Sequence, residues 1–325
     1  MTALTEPSAG SVASSLRSAR AGWRVPAYLV TKAIASGTFM VMAIFELLGP
    51  SGVSRQMALF GNGVALFFLA ITTVLLVGDL ERPERFLRIL TRPQWKSWLT
   101  RGAFVLVAFS ALCATWFAIE LGALRYWWPE EVAESVRLPL AVIGLPLALL
   151  TAIYTAFLFQ QCEGRDLWQR QDMAWNMGVR ALMAGAAMWL ALDAYDLTLD
   201  HFYPQSRYLD EWGWRDWLVE GWQYVWIWFI LLWTVVRDGV QRWIELRRVM
   251  DTANTNQALV RLGRGWALVT VYGQLIPLFL FLLGASIDSS VICLVSYLAS
   301  PLMILIGLFL YESAIIKAGQ DVPNT

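Results

Sequence analysis

The run MALFGNGVALFFLAITTVLLV at residues 57–77 decides the fold, because it holds no charged residue and is long enough to cross a bilayer as a helix. Similar runs recur along the 325-residue chain, which is 58% hydrophobic and 15% charged. Soluble domains hold about 25% charged residues, and the mean hydropathy of this chain is +0.52. The sequence therefore predicts an all-α polytopic membrane protein.

Eight apolar segments are each long enough to cross a hydrocarbon core of about 30 Å as a helix. They cover residues 26–48, 56–78, 101–122, 138–161, 178–198, 222–243, 265–285 and 289–314. None has the alternating pattern of a membrane β-barrel, so we expect a bundle of eight transmembrane helices. The predicted organisation is a disordered N-terminal tail at 1–22, the transmembrane domain at 23–318 and a C-terminal tail at 319–325.

Charge placement predicts the orientation of the bundle. An even number of spans puts both termini on one side, called side A here, and the opposite side is side B. Of the 25 Lys and Arg residues, the five on side B are Arg55, Arg125, Arg137, Arg207 and Arg215. Because positive charge accumulates on the cytoplasmic side, we expect side A and both termini to be cytoplasmic.

Composition excludes several classes of protein. The formal net charge is zero, so nothing indicates a nucleic-acid partner. The only histidine is His201, and a bis-His haem within one chain is therefore impossible. The three cysteines, Cys113, Cys162 and Cys293, lack CxxC spacing and are interpreted as small packing residues. For His201 two interpretations stay open, an interfacial residue or a proton carrier beside Asp196 and Asp200.

Several polar residues lie at membrane depth near side A. Tyr28, Lys32 and Ser36 recur every four residues, so they share one face of the first helix. Lys32 either extends to the headgroups or faces the bundle and donates to a ligand oxygen or a carboxylate. Tyr154 lies about one turn inside the fourth span, on the same side. A site of this kind suits an amphipathic head with two oxygens, such as a quinone, although a carboxylate transporter could use the same residues.

The stretch GDLERPERF at 78–86 concentrates charge where the second span ends. Its charges either pair among themselves or form, with Arg92, a basic collar for anionic headgroups or an acidic partner. Charged residues also follow the fourth span at 163–166 and end the eighth span at 311–317. The candidate pocket-rim or partner-docking residues are Asp79, Arg82, Arg85, Arg92, Glu163, Arg165 and Asp166.

Three stretches carry a family resemblance. They are YLVTKAIASGTF at 28–39, GDLERPERFLRILTRPQWKSWLTRGAF at 78–104 and YTAFLFQQCEGRDLW at 154–168, and the end YESAIIKAGQ at 311–320 agrees. With eight predicted spans, the chain resembles the NrfD/PsrC family of membrane subunits from polysulfide-reductase-type complexes along nearly its whole length.

The resemblance implies a haem-free, quinone-reactive anchor in a bacterial inner membrane, with menaquinone or ubiquinone as an exchangeable substrate. Its partners would be an iron–sulfur subunit and a molybdopterin or cytochrome catalytic subunit. It implies a quinone site at Tyr28, Lys32 and Tyr154, supported by Asp79 and Arg82. In several relatives the iron–sulfur partner lies outside the cytoplasm beside this site, whereas the charge bias here places the same end inside.

Two further questions stay open at this stage. Carboxylates towards side B form a candidate proton path, namely Glu46, Glu120, Asp193 and Asp196. Rival functions are a purely structural anchor and a secondary transporter of a small anion, in which Pro277, Gly284 and Pro301 would mark broken helices.

Overall fold

The computed structural model describes residues 23–49, 52–79, 91–161, 168, 170–202, 227, 229–244, 269–286 and 290–321. Within these ranges there is no strand, and each of the eight predicted spans corresponds to a helix. The helices are α1 Arg24–Leu48, α2 Arg55–Gly78, α3 Trp98–Leu124, α4 Glu130–Gln160, α5 Met173–Phe202, α6 229–244, α7 Ile276–Ser286 and α8 Ser290–Asp321. The prediction of an all-α helical bundle is confirmed, while the predicted tail at 1–22 lies outside the described residues.

Membrane-spanning character is strongest in five of these helices. α1, α2, α3, α4 and the segment Val295–Lys317 of α8 are each long and apolar enough to cross a bilayer. The helix α4 begins eight residues before its predicted span because the segment with Glu130, Glu131 and Glu134 stays helical beyond the apolar run. Acidic residues suit that position, since they complement the positive end of the helix dipole.

The first helix lies at the centre of the bundle. In its most apolar window 89% of α1 is buried, compared with 28% for α2 and 33% for α3. Helix α1 packs against α2, α4, α5 and α8. The peripheral α2 and α3 expose large apolar side chains such as Phe60, Phe67 and Val107, as a lipid-facing surface requires.

Two glycines allow α1 and α5 to cross at close range. A Cβ added to Gly37 of α1 would overlap the carbonyl of Ala181, and one added to Gly185 of α5 would overlap the backbone of Gly37. Trp189 Nε1 donates to the Thr38 carbonyl at 3.0 Å next to this crossing. Small residues let membrane helices approach closely and gain van der Waals contact, which drives association where lipid tails are as apolar as the core. The crossing fixes α1 against α5 close to the helical turn that carries Ser36.

An aromatic cluster fills the centre of the bundle. Phe39 makes edge-to-face contacts with Phe109 and Trp116, at ring-centroid distances of 5.1 Å and 5.7 Å. Gly144 of α4 makes room for the Phe39 ring, since a Cβ there would overlap its edge. These rings pack at geometries typical of favourable aromatic pairs and hold α1, α3 and α4 together.

Prolines inside the helices do not break them in the described residues. Pro139 and Pro146 lie within α4, and Pro301 lies within α8, and both helices continue past them. The irregular element is a π-helical turn at Val271–Leu275, just before Pro277 in α7. Ser300 Oγ donates to the Pro277 carbonyl at 2.8 Å. The break that the transporter interpretation places at Pro301 is therefore absent, and the irregular backbone lies just before Pro277, another of the positions which that interpretation names.

Candidate functional site

Lys32 faces the interior of the bundle. Its side chain is 1% exposed, and Nζ donates to Thr155 Oγ1 at 2.6 Å. The same Nζ lies 4.5 Å from the centroid of the Tyr154 ring, a cation–π contact. No carboxylate of the described residues lies within ion-pair distance of it. The interpretation in which Lys32 extends to the headgroups is therefore wrong, and the bundle-facing interpretation describes the structure.

Tyr154, whose ring contacts Lys32, adds a buried hydroxyl that, within the described part of the chain, is free to bind a ligand. Its side chain is 3% exposed, and among the described residues its hydroxyl has no hydrogen-bond partner. Leaving such a buried hydroxyl unsatisfied costs about 1–3 kcal/mol. Gly102 of α3 admits the ring, because a Cβ there would overlap the ring carbons. A buried O–H donor therefore lies beside a buried ammonium donor.

Tyr28, the third predicted quinone ligand, lies one helical turn before Lys32. It is 4% exposed and belongs to an apolar cluster with Phe159 and Trp168 on the side-A half of the bundle. Phe159 and Trp168 stack at a centroid distance of 5.2 Å. The structure thus brings Lys32 and Tyr154 into contact, and it places Tyr28 nearby within the apolar wall.

Arg180 of α5 organises a second group of polar residues on the other side of Lys32. Its Nη1 donates to Glu312 Oε1 at 2.9 Å, and its Nη2 donates to the Tyr311 hydroxyl at 2.9 Å. Its Nε donates to Asp238 Oδ1 at 3.3 Å. The guanidinium also lies 4.1 Å from the centroid of the Tyr311 ring. A single arginine therefore joins α5, α6 and α8 through three acceptors.

Asp238 of α6 carries the network further. Arg242 Nη2 lies 2.8 Å from Asp238 Oδ2, and Gln274 Nε2 donates to the same oxygen. Gln274 lies in the π-helical turn, where Gly273 packs so closely on Gly307 of α8 that added Cβ atoms would clash. Helical irregularities of this kind recur at functional sites. Here the turn directs an amide into a buried ion network.

A small cavity separates Lys32 from this network. Its free volume is ≈ 10 Å³, room for about one water molecule. The lining residues are Leu29, Lys32, Ala33, Ala152, Met177, Arg180, Leu308 and Glu312. One small, mostly apolar cavity is thus lined by both an amine and a carboxylate.

The rim residues are only partly described. Asp79 ends α2, and Arg24 Nη1 donates to the neighbouring Gly78 carbonyl at 2.7 Å. Partial burial raises the pKa of Asp79, and the positive charge of Arg24 offsets part of that rise. Arg92 is exposed. The remaining predicted rim residues, Arg82, Arg85, Glu163, Arg165 and Asp166, lie outside the described residues.

Asp172 connects the side-A ends of two helices. Arg170 donates to both of its carboxylate oxygens, at 3.0 Å and 2.6 Å, and Gln241 of α6 donates to it at 2.8 Å. Burial alone would raise the pKa of Asp172, but the hydrogen bonds and charge of Arg170, with the bond from Gln241, hold it below its usual value. Asp172 thus links the start of α5 to the end of α6.

Towards side B the structure brings two of the four proton-path candidates together. Arg137 pairs with Glu120 through two hydrogen bonds of 2.7 Å and 3.0 Å, and Trp116 Nε1 donates to Glu120 at 3.3 Å. Glu46 accepts from the Val53 amide at 2.7 Å and interacts electrostatically with both Arg137 and Glu120. The side chains of Asp193 and Asp196 are outside the described set. A proton path through these groups stays a prediction.

Four residues of the Arg180 network were not predicted from the sequence as site residues. They are Arg180, Asp238, Arg242 and Gln274. A signal existed, because MGVRALMAG at 177–185 puts Arg180 within an apolar segment, where an ionisable group is costly and marks a functional site by default. The sequence does show Glu312 at the end of the eighth span, but it does not show which helices pack together at that point.

The family model described as "Polysulphide reductase, NrfD" matches residues 20–324, which include every described helix. No curated protein matches the chain. Among the described residues no group of three or more His, Cys, Asp or Glu side chains is arranged to hold a metal ion.

Proposed function

The chain belongs to the NrfD family, whose members are membrane subunits of oxidoreductase complexes, and from this premise we propose that it binds quinone or quinol. In this proposal it is a haem-free subunit that exchanges electrons with an iron–sulfur partner. That partner connects it to a molybdopterin or cytochrome catalytic subunit. Menaquinone or ubiquinone is the exchangeable substrate.

The observation that carries the proposal is the pair of donors at Lys32 and Tyr154. A quinone oxygen needs a hydrogen-bond donor, and more strongly so as electrons arrive and negative charge develops on it. Lys32 Nζ and the Tyr154 hydroxyl are both buried, and that hydroxyl has no partner among the described residues. Tyr28 and its apolar cluster suit the ring and the adjoining tail of the substrate.

Electrons must come from outside this chain. The sequence has one histidine and no closely spaced cysteines, so it supplies neither a bis-His haem nor a cysteine-ligated cluster. The charged rim from Asp79 to Arg92, with Glu163, Arg165 and Asp166, is the proposed docking surface for the iron–sulfur partner. A cluster docked there would lie at the same membrane face as Lys32.

The proposed location is the inner membrane of a bacterium, with both termini in the cytoplasm. The excess of Lys and Arg on side A supports this orientation. The Lys32 site would then open towards the cytoplasmic leaflet. Tagging either terminus and testing its accessibility in sealed vesicles of known orientation would measure it directly.

Titration with a quinol analogue tests the proposal. The chain has 18 tryptophans, and Trp168 lies in the apolar cluster of Tyr28, so saturable quenching of tryptophan fluorescence would report binding. We expect Lys32→Met and Tyr154→Phe to weaken binding about tenfold or more, as loss of a buried donor predicts. Lys317→Met and Tyr126→Phe, at exposed positions, are the matched controls and should bind normally.

The rival functions give different results. If neither the purified chain nor the assembled complex binds the analogue saturably, the quinone site is wrong and a structural anchor is favoured. If liposomes containing this chain alone accumulate a small carboxylate, the transporter interpretation is favoured. Binding that survives Lys32→Met would move the site away from this lysine.

A further inference from the structure

We propose that Lys32 and Glu312 form a proton-exchange pair, in which a proton moves between the Lys32 amine and the Glu312 carboxylate through the small cavity. This inference rests on the proposed function, because the substrate that gives or takes the proton at Lys32 is the quinone. It assigns a role to α8 that the rest of the quinone site does not require.

The first argument is geometric. Lys32 and Glu312 line one cavity that has room for about one water molecule. Glu312 is 5% exposed and uses Oε1 to accept from Arg180, at 2.9 Å. Lys32 Nζ donates to Thr155 Oγ1 on α4 at 2.6 Å. A single water in this cavity would therefore have the amine and the carboxylate among its neighbouring polar groups.

The second argument is the charge balance of the buried network. Two arginines, Arg180 and Arg242, are matched by two carboxylates, Asp238 and Glu312. These four charges cancel, so protonated Lys32 is the one excess charge among the described buried residues around the cavity. An isolated buried charge is costly, and a lysine can remove that cost by giving up its proton.

Two titratable groups of the described residues contact the pair directly: the Tyr154 ring centroid lies 4.5 Å from Lys32 Nζ, and Arg180 Nη1 donates to Glu312. Arg180 connects the pair in turn to Tyr311 and to Asp238, which also pairs with Arg242, while Tyr28, Arg24 and Asp79 lie nearer the rim. Arg180 positions Glu312, because it fixes one carboxylate oxygen while holding Tyr311 and Asp238. The arginines stay protonated at all relevant pH values, so they do not exchange protons with the pair.

The proton balance of the step is simple. Reduction of one quinone consumes two electrons, supplied by the iron–sulfur partner, and two protons. In each transfer an N–H bond of Lys32 breaks and an O–H bond forms on a quinone oxygen. Glu312, protonated from the aqueous side, then returns a proton to the Lys32 amine. Quinol oxidation runs the same transfers in reverse.

The first test needs no quinone. Infrared spectra of the purified full-length chain would identify the carboxyl band that disappears in Glu312→Gln. In Lys32→Met we expect the frequency of this band to shift, because the water-mediated hydrogen bond from the Lys32 amine to the carboxyl group is lost. Lys317→Met is the control and should leave the band in place. An unmoved band in Lys32→Met would overturn the pair.

The second test uses the assembled complex. Glu312→Gln keeps an oxygen for Arg180, so we expect it to fold and to bind the quinol analogue as the unsubstituted chain does. Its turnover should fall about tenfold to a hundredfold with an altered pH profile, as loss of an acid–base group predicts. Glu312→Asp should recover part of that turnover. An unaltered rate and pH profile in Glu312→Gln would overturn the proposed exchange.

The two tests separate this inference from the quinone proposal. Analogue binding without infrared coupling would support the quinone site and refute the pair. Infrared coupling without analogue binding would refute the quinone site and, with it, the quinone as the pair's proton acceptor. Thermal unfolding of each variant distinguishes these results from simple misfolding.

Discussion

Arg180 and Asp238 form an ion pair between α5 and α6 in which the two side chains are 6% and 1% exposed. The pair is buried among helices that lipid surrounds, so neither charge has water to replace a lost partner. Arg180 also holds Glu312 and Tyr311 of α8. The pair is therefore the junction at which three helices of the later half of the chain are joined.

Removing this arginine should destabilise the bundle. Arg180→Met leaves Asp238 with one arginine and Glu312 with none among the described residues, and breaking a buried ion pair costs about 3–5 kcal/mol. We expect a loss of that order in the free energy of unfolding, measured by denaturant titration in detergent. Arg92→Met, at an exposed position, is the control. A change for Arg180→Met as small as the control's would contradict the buried network.

Gly102 controls the position of the Tyr154 ring. A Cβ at this position would overlap the ring, so Gly102→Ala should displace Tyr154 at a cost of about 1–3 kcal/mol. We also expect weaker binding of a quinol analogue, measured by tryptophan quenching. Gly78→Ala is the control, because a Cβ at Gly78 meets no atom within 4 Å. Equal affinity in both variants would refute the role of Tyr154.

The crossing of α1 and α5 permits no added methyl group. Gly185→Ala forces the backbones apart, and we expect it to lower the free energy of unfolding by about 1–3 kcal/mol. Gly178→Ala on the same helix is the matched control, since its Cβ would meet only ordinary contacts of 3.5 Å and 3.6 Å. The control should be neutral or slightly stabilising, because alanine favours helix. Similar losses in both variants would mean that the crossing is not close-packed.

Asp172 and Asp79 should respond to pH in opposite ways. Arg170 and Gln241 hold the pKa of Asp172 below its value in the unfolded chain, about 3.9. The Asp172 carboxylate therefore stabilises the fold at pH values above that unfolded pKa. This stabilisation is lost as the pH falls through the lower pKa of the folded state. Asp172→Asn should therefore be less stable than the unsubstituted chain at neutral pH, by no more than about 1 kcal/mol for this partly exposed pair. The difference should vanish in acid.

Burial raises the pKa of Asp79, so ionisation of this group opposes folding above its folded pKa. Asp79→Asn should then be neutral or slightly stabilising at neutral pH, and its advantage should disappear as the pH falls. Unfolding midpoints of both variants across an acid-to-neutral series check the pair of predictions. If the stability of both variants relative to the unsubstituted chain changed with pH in the same direction, the opposite pKa shifts of Asp172 and Asp79 would be contradicted.

The sequence predicted the elements of the fold well, because a bilayer requires long apolar helices and a charge-free run such as 57–77 has few other structures. It also predicted that Lys32 and Tyr154 lie at membrane depth at the same end of the bundle, since polar groups at that depth are rare and few positions compete; their role as quinone ligands stays a prediction. It could not predict that Thr155 accepts a hydrogen bond from Lys32, or that Arg180 forms ion pairs with Asp238 and Glu312. Those contacts depend on which helices are neighbours, and hydropathy does not encode helix neighbours.

The central position of α1 has a consequence for how this protein is made. A ribosome delivers α1 to the membrane first, whereas its partner α8 is synthesised last. Until α8 arrives, the cavity beside Lys32 lacks the Glu312 carboxylate, and the face of α1 that packs on α8 has lipid or the insertion machinery for a neighbour. Chains that terminate before α8 would keep a lysine poorly accommodated within the bilayer, which is a feature that quality-control proteases could recognise.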